Sequence, residues 1–353
     1  MPENLFIRLA QQGLRMPIGA DLVLHEAADP EGCKYDAERL GAVVASAARR
    51  YQTPLAFPLM DLTLEKADLL SHVGVPQAEV DLFHFATPPS LAMVSDVLAS
   101  AGRAFLPRIQ ANQGAVRYIA EQTDLLPVGM LIGPFSLMTK LVADPIAGVA
   151  LAGGGVTALE DEAVCLVERC LALAEATVIR SALAQIHAGA RAMILCEPAA
   201  NTVYLSPRQM RAGADILERF VLAPNRRIRQ ILGEHGVDLI FHDCGELNTD
   251  MVRQFAEQLR PAVISLGSSR KLWEDAAVVP RGIVLFGNLP TKTFYSDSAL
   301  PVEEVRRMTA ELRQRMATCG HAHILGSECD VLHVPDAAET IRRKVDVMLT
   351  CDC

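Results

Sequence analysis

With 353 residues, half of them hydrophobic, and a net charge of −9, the chain is too apolar to be disordered and too acidic to offer a nucleic-acid surface. It contains no run of eighteen apolar residues, and Met1-Pro2-Glu3-Asn4 lacks the basic and apolar regions of a secretory signal. No membrane span is therefore expected, and a cytoplasmic location is. Nine cysteines, an odd number scattered along the chain, argue against a disulfide framework. The closing Cys351 and Cys353 form a lone Cys-x-Cys, a weak metal signal at a chain end. The length would allow two domains, yet α/β barrels commonly run this long as one, so we expect a single domain over 1–353 with an N-terminal extension.

In chain order, Asp21-Leu22-Val23-Leu24 reads as a first strand ending at His25-Glu26, followed by a helix from about Ala37 to Arg50. Pro54 to Asp61 gives a second strand, after which Thr63 is a candidate N-cap and Glu65 favours a first helical turn. The segment 74–127 breaks the rhythm with Pro76, Pro88-Pro89 and Pro107 and reads as an insertion over the active face. Val128 to Phe135 is the third strand with its turn. Gly153-Gly154-Gly155 lacks the spacing of a phosphate-binding loop and reads as a hinge before a long helix to about His187. Arg191 to Pro198 is the fourth strand and ends on Glu197; Ser206-Pro207 then opens another long helix. Further strands run from Val237 through His242, from Pro261 to Gly267, from Gly282 to Asn288 and from His321 to Gly326, with helices between them and a last one at about 337–349.

Eight strands, each followed by helical or capping sequence, imply an α/β fold of the (β/α)8 TIM-barrel type, with the insertion after the second strand. In such a barrel the strand carboxyl ends form one face, so His25, Asp61, Glu197, His242, Cys244, Asn288 and Cys329 would converge there. The centre of the pattern is Val237-Asp238-Leu239-Ile240-Phe241-His242-Asp243-Cys244-Gly245. Side chains two apart on an extended chain project to one side, so His242 and Cys244 can grip the same ion. Cys329, again just past a short apolar run, is the third candidate. His/Cys/Cys provides the three protein ligands of a catalytic zinc site that keeps one position open. Taken singly, each of these residues would be more simply a core histidine or a buried thiol. His321 and His323 could supplement the site but fit packing better.

Met60-Asp61-Leu62-Thr63-x-Glu65, Gly133-Pro134-Phe135, Glu197-Pro198, His242-Asp243-Cys244-Gly245, Phe286-Gly287-Asn288 and Cys329-Asp330 together resemble the uroporphyrinogen decarboxylase superfamily, from about Gly19 to Met348. Within it the His-x-Cys with a distant Cys is similar to the zinc site of the methylcobamide:thiol (coenzyme M-type) methyltransferases. The resemblance implies zinc on His242, Cys244 and Cys329, with Glu197 filling the fourth position until substrate arrives. It implies methyl transfer from a methylated corrinoid to a small thiol. No Asp-x-His-x-x-Gly corrinoid pattern occurs around His84, His187 or elsewhere, so the corrinoid is expected on a partner protein.

Glu197 could equally cap a helix or end in a salt bridge. Asp61, a candidate catalytic residue, occupies the place of the decarboxylases' catalytic aspartate and does not separate the branches. His25 and Asn288 are candidate substrate contacts, against a hydrogen-bonded loop residue and a turn-fixing amide. Where the decarboxylases carry an arginine-bearing motif for their polycarboxylate, this chain has Leu24-His25-Glu26-Ala27-Ala28. The alternative readings are a metal-free decarboxylase of a porphyrinogen or smaller carboxylate, with Asp61 as its acidic group, and a catalytically inactive barrel serving as a binding subunit. The sequence names neither the thiol nor the oligomeric state.

Overall fold

A computed structural model describes residues 5–351. The eight strands are β1 (Arg15–Ile18), β2 (Leu55–Ala56), β3 (Leu126–Ile132), β4 (Ala192–Cys196), β5 (Asp238–Asp243), β6 (Val263–Leu266), β7 (Val284–Leu289) and β8 (His323–Asp330). They pair in parallel in the order β1-β8-β7-β6-β5-β4-β3-β2, and the curled sheet with its surrounding helices is a (β/α)8 barrel.

Period-two alternation sorts the apolar side chains into two sets. Val128 and Met130 of β3, Ala192 and Ile194 of β4, Ile240 of β5, Val263 of β6, Val284 and Phe286 of β7 and Ile324 of β8 fill the interior. Their neighbours, among them Leu131, Leu195, Phe241, Ile264 and Leu285, pack outward against the helices. Phe6, from the helix Leu5–Gln11, joins the interior set and is fully buried, so part of the N-terminal extension helps to fill the barrel. The alternation has a consequence for chemistry: His242 and Ser265 continue the inward series of Ile240 and Val263.

β8 breaks its own alternation. Met16 faces Gly326 and Ile18 faces Asp330, so two steps on β1 span four on β8, and the Ile18 N–H donates to Ser327 Oγ (2.8 Å). A bulge of this kind re-aims the residues within it. Without it Cys329 would share the outward side of Leu325.

The first strand was misplaced by sequence reasoning. Asp21–Leu24 is a short helix whose three apolar residues are buried, and β1 lies upstream in Arg15–Ile18. Pro17 is tolerated in it because the Ile18 N–H points toward β8, so the N–H that Pro17 lacks would have pointed away from that ladder. Three further local differences appear. Thr63 does not cap the helix Leu64–His72; its hydroxyl donates to Asp61 instead. Gly153 and Gly154 close the helix Pro145–Gly153, with Gly155 following at φ +92°. Ser206 caps only the five-residue helix Pro207–Arg211, and the longer helix Ala223–Glu234 follows later. Cys353 lies outside the described residues, so the Cys351/Cys353 pair is not described.

The interrupted segment divides in two. Its second helix, Pro107–Gln122, packs on the helix Ala37–Arg50 and leads into β3 as a crossover helix, while Leu91–Ala99 packs on the long helix Glu162–His187. Arg180 of that long helix pairs with buried Asp68 and donates to Ser100 O (3.2 Å) and Arg103 O (2.6 Å), and its guanidinium lies 3.6 Å from the Phe105 ring centre. Among the described residues, no single helix is long and apolar enough to cross a membrane.

Glu65, buried at 4% exposure, accepts from Ser181 Oγ (3.0 Å). Burial raises its pKa from 4.5 to about 7. The fold therefore favours the protonated acid: that contribution is complete below pH 4.5 and lost as pH rises through 7. Wild type should lose about 3 kcal/mol more than Glu65→Gln between pH 4.5 and 8, measured by urea unfolding of both proteins across that range. Parallel pH profiles would refute it.

Candidate metal centre

His242 ends the inward series of β5, and Cys244 follows two positions on. Cys329 is turned in from β8 by the bulge. One ligand atom from each lies within 4.8 Å of the others, and the two Sγ atoms are 3.9 Å apart. Zinc bonds of 2.0–2.3 Å in tetrahedral geometry set ligand atoms about 3.5 to 3.8 Å apart, so a small contraction would complete the site.

The histidine is prepared for such a role. β5 and β6 pair with His242 opposite Ser265, and His242 Nδ1 lies 2.8 Å from Ser265 Oγ. The tautomer that donates Nδ1–H to the hydroxyl leaves the Nε2 lone pair free, and Nε2 is buried with no hydrogen-bond partner. An unpartnered buried imidazole nitrogen is costly unless something binds it. Sequence reasoning missed Ser265, although a lone hydroxyl in Val263-Ile264-Ser265-Leu266 was a signal. Ser265→Ala is expected to weaken zinc binding about 10- to 100-fold, read by competition with a chromophoric chelator. Unchanged affinity would show that the hydroxyl does not orient the ring.

The thiols titrate as a pair. The hydrogen bond between them, with help from His242 and Lys292, pulls the Cys244 pKa down, and the same bond together with burial pushes Cys329 up. One thiolate thus forms easily, and a second needs a cation. Lys292, exposed on the turn Thr291–Thr293 after β7, was also missed. Burial of its ammonium acts to lower its pKa, but Cys244, Glu328 and Cys329 outweigh this and raise it. Glu328 accepts from Ser268 N (3.1 Å), Ser268 Oγ (2.6 Å) and Lys292 N (3.4 Å), tying the turns after β6 and β7 to β8. Met60 Sδ lies 3.8 Å from Cys329 Sγ.

The remaining candidates occupy different positions. Glu197 is fully buried, and it is outside the three-residue cluster. Its oxygens accept from Phe135 N (3.1 Å), Ser136 N (2.8 Å) and Asn225 Nδ2 (2.8 Å), so it caps the helix Pro134–Leu141. Gly133 leaves room for it, since a Cβ there would lie 2.0 Å from Glu197 Cδ. Burial raises the Glu197 pKa against these donors. Asp61 accepts from Thr63 N (3.1 Å) and Oγ1 (2.6 Å), and Arg108 Nη2 approaches at 3.4 Å.

Asn288 Nδ2 donates to Gly267 O (2.7 Å) and Arg270 O (2.9 Å), fixing the turn after β6. His25, displaced from a strand end by the relocation of β1, stacks on His333 with ring centres 4.1 Å apart. His321 and His323 hydrogen-bond to Ile283 O and Gly287 O at the opposite end of β8 from Cys329. Burial lowers both pKa values, that of His323 to about 4.

Over 98% of its length the chain shares its fold with a methyltransferase from Methanosarcina mazei, at a TM-score of 0.66 and 16% identity, covering 97% of that protein. More distant similarity extends to a 3-keto-D-glucoside 4-epimerase from E. coli, with TM-score 0.40, 12% identity and coverage of 69% of this chain and 86% of that one. It also extends to a putative vitamin-B12 independent methionine synthase from Listeria monocytogenes, with TM-score 0.40, 12% identity and 95% coverage of each chain. No curated protein matches in sequence. The family model of uroporphyrinogen decarboxylase (URO-D) matches residues 22–347, and the chain belongs to that family.

Proposed function

We propose that the protein is a zinc-dependent methyltransferase that moves a methyl group from a methylated corrinoid, carried by a separate protein, to a small thiol. The observation that supports this reading is the donor set: one oriented imidazole with a free, buried Nε2, and two thiols 3.9 Å apart. Zinc held there would supply the Lewis acidity that keeps an acceptor thiol deprotonated at neutral pH, where a free thiol of pKa about 8.5 is mostly protonated. His242, Cys244 and Cys329 are the residues to hold it, with Ser265 fixing the ring.

Two protein thiolates, rather than carboxylates, leave an acceptor sulfur electron-rich. Met60 lines the Cys329 side with a thioether. In the transfer the acceptor sulfur forms a bond to the methyl carbon as the cobalt–carbon bond breaks. The electron pair of that bond stays with cobalt, and the thiol proton passes to solvent. Asp61, with Arg108 beside it, is assigned to the substrate side of the barrel mouth. Glu197 would act indirectly, by holding the helix Pro134–Leu141.

Elemental analysis of protein purified without chelator should give about one zinc per chain. The purified protein should also demethylate methylcobalamin when a suitable thiol from a panel is supplied. A parallel assay of uroporphyrinogen tests the family's eponymous reaction, which is expected to be absent. The segment around His25 offers no arginine of its own, and the nearby Arg50 and Arg342 are paired with Glu26, so this segment supplies no bidentate clamp for a polycarboxylate. Metal-free protein, or decarboxylation at an ordinary enzymatic rate of about 1 per second or faster, would overturn the reading.

A further inference from the structure

At the end of the barrel opposite the candidate metal centre, a cleft of about 910 Å³ opens between the residues leading into β1, those leading into β8 and the helix Val302–Cys319. That volume falls within the range of small-molecule sites, roughly 300 to 1,000 Å³. Arg15, Arg281 and Arg313 line it together with Gln11, Gln12 and Gln314, and among the described residues no aspartate or glutamate does. The chain carries 42 acidic against 33 basic side chains, so a cleft with arginines and no carboxylates departs from the rest of the molecule. A concave wall of one charge sign focuses its field and gathers counter-ions.

Two of these arginines are each anchored at one nitrogen. Arg281 Nη1 donates to Cys319 O (2.9 Å) and lies over the end of the helix, 4.0 Å from where a Cβ on Gly320 would sit. Arg313 Nη1 donates to Cys351 O (3.0 Å). Among the described residues no carboxylate pairs with either, and a guanidinium has five N–H groups, so most of each fork is left for a ligand. Arg15 is engaged with Leu349 O and Cys351 O and is given no ligand role. His321 and His323 also line the cleft, but burial disfavours their charged forms, so the positive charge comes from arginine.

We infer that this cleft is a second ligand site, which binds a small molecule bearing a diphosphate gripped by Arg281 and Arg313. Arginine's planar fork meets phosphate oxygens two at a time, and a terminal phosphate brings more charge than a carboxylate, about −1.5 to −2 near pH 7. Gly320, beneath Arg281, lies about 10 Å along the helix from Arg313. A lone ion would meet one fork, whereas linked phosphates can meet both. The site stands independently of the thiol-methylation reading.

The test is isothermal titration of pyrophosphate, ADP, inorganic phosphate and citrate into the full-length protein. Diphosphates chelate zinc, so every titration is repeated on Cys329→Ala, which lacks one candidate metal ligand. Pyrophosphate and ADP should bind both proteins with a Kd of about 1 mM or tighter, and phosphate and citrate at least about tenfold more weakly. A tighter Kd for ADP than for pyrophosphate would make the ligand a nucleotide, and equal values a free diphosphate. Arg281→Gln and Arg313→Gln should each weaken diphosphate binding about tenfold, because each removes charge-assisted bonds, while Arg281→Lys should retain part of the affinity. Melting curves show whether each variant is folded, and the two arginines read the site from separate anchors, so a folding defect at one leaves the other decisive. Binding seen only in wild type would place the anion at the metal centre and overturn the inference. So would unchanged affinity in the arginine variants, a preference for citrate, or no binding of either diphosphate.

Discussion

Cys329→Ala should leave a folded barrel that has lost its zinc and its methyl transfer. On the zinc reading the residue would contribute one of three ligands, and losing it would leave His242 and Cys244 too few to hold a catalytic ion. Since changes to groups that merely support a ligand already cost 10- to 100-fold, turnover with methylcobalamin should fall by at least about a hundredfold. Stability should change little, because Cys329 is only partly buried and belongs to neither apolar cluster. Turnover, zinc content and the melting curve measured on one preparation separate the outcomes. Retained activity would refute the assignment. Loss of the fold would instead make the metal structural.

The second large effect is on stability and lies away from the metal. Arg180 and Asp68 are a buried pair, with side chains 5% and 6% exposed, and the same guanidinium holds the Ser100 and Arg103 carbonyls. Truncating Arg180 to alanine strands the Asp68 carboxylate, which among the described residues keeps only the Leu106 N–H at 3.3 Å. Breaking a buried pair from one side costs about 3 to 5 kcal/mol, whereas replacing both charges is often nearly neutral. Arg180→Met combined with Asp68→Asn should therefore recover most of the loss in urea unfolding. Limited proteolysis of Arg180→Ala should cut first near 100–106, where the released carbonyls sit. A cost below about 1 kcal/mol would mean that water takes over the guanidinium's role.

Which parts of this molecule could be read from sequence follows from how local each signal is. His242 and Cys244 were legible because their convergence needs only the two-residue period of one strand. Cys329 was found by type and position, but its orientation depends on a bulge defined by the pairing of β8 with β1, which no local pattern encodes. Ser265 matters because it lies opposite His242 in the β5–β6 ladder, and register between separate strands is invisible in either one alone. Lys292 looks like any surface lysine until β7 is placed beside β8. For Glu197 the sequence showed a strand-end carboxylate. It could not show that the helix starting at Pro134 aims its first N–H groups there, through a gap left by Gly133. The apolar run at Leu22–Leu24 misled because burial alone does not distinguish a short helix from a strand.

The three candidate ligands come from β5 and β8, which are separated in the sheet by β6 and β7. An ion joining them would be a chord drawn across the barrel's rim, whereas every backbone ladder runs along its circumference. Hoop and chord resist different deformations. The ladders set the spacing of adjacent strands, and the chord fixes the width of the opening between strands that share no hydrogen bond. Stripping the ion should thus let the rim breathe without loosening the base. Amide hydrogen exchange should quicken around Gly245 and Val331 and stay unchanged at the Phe6 end, where the interior is filled by side chains alone.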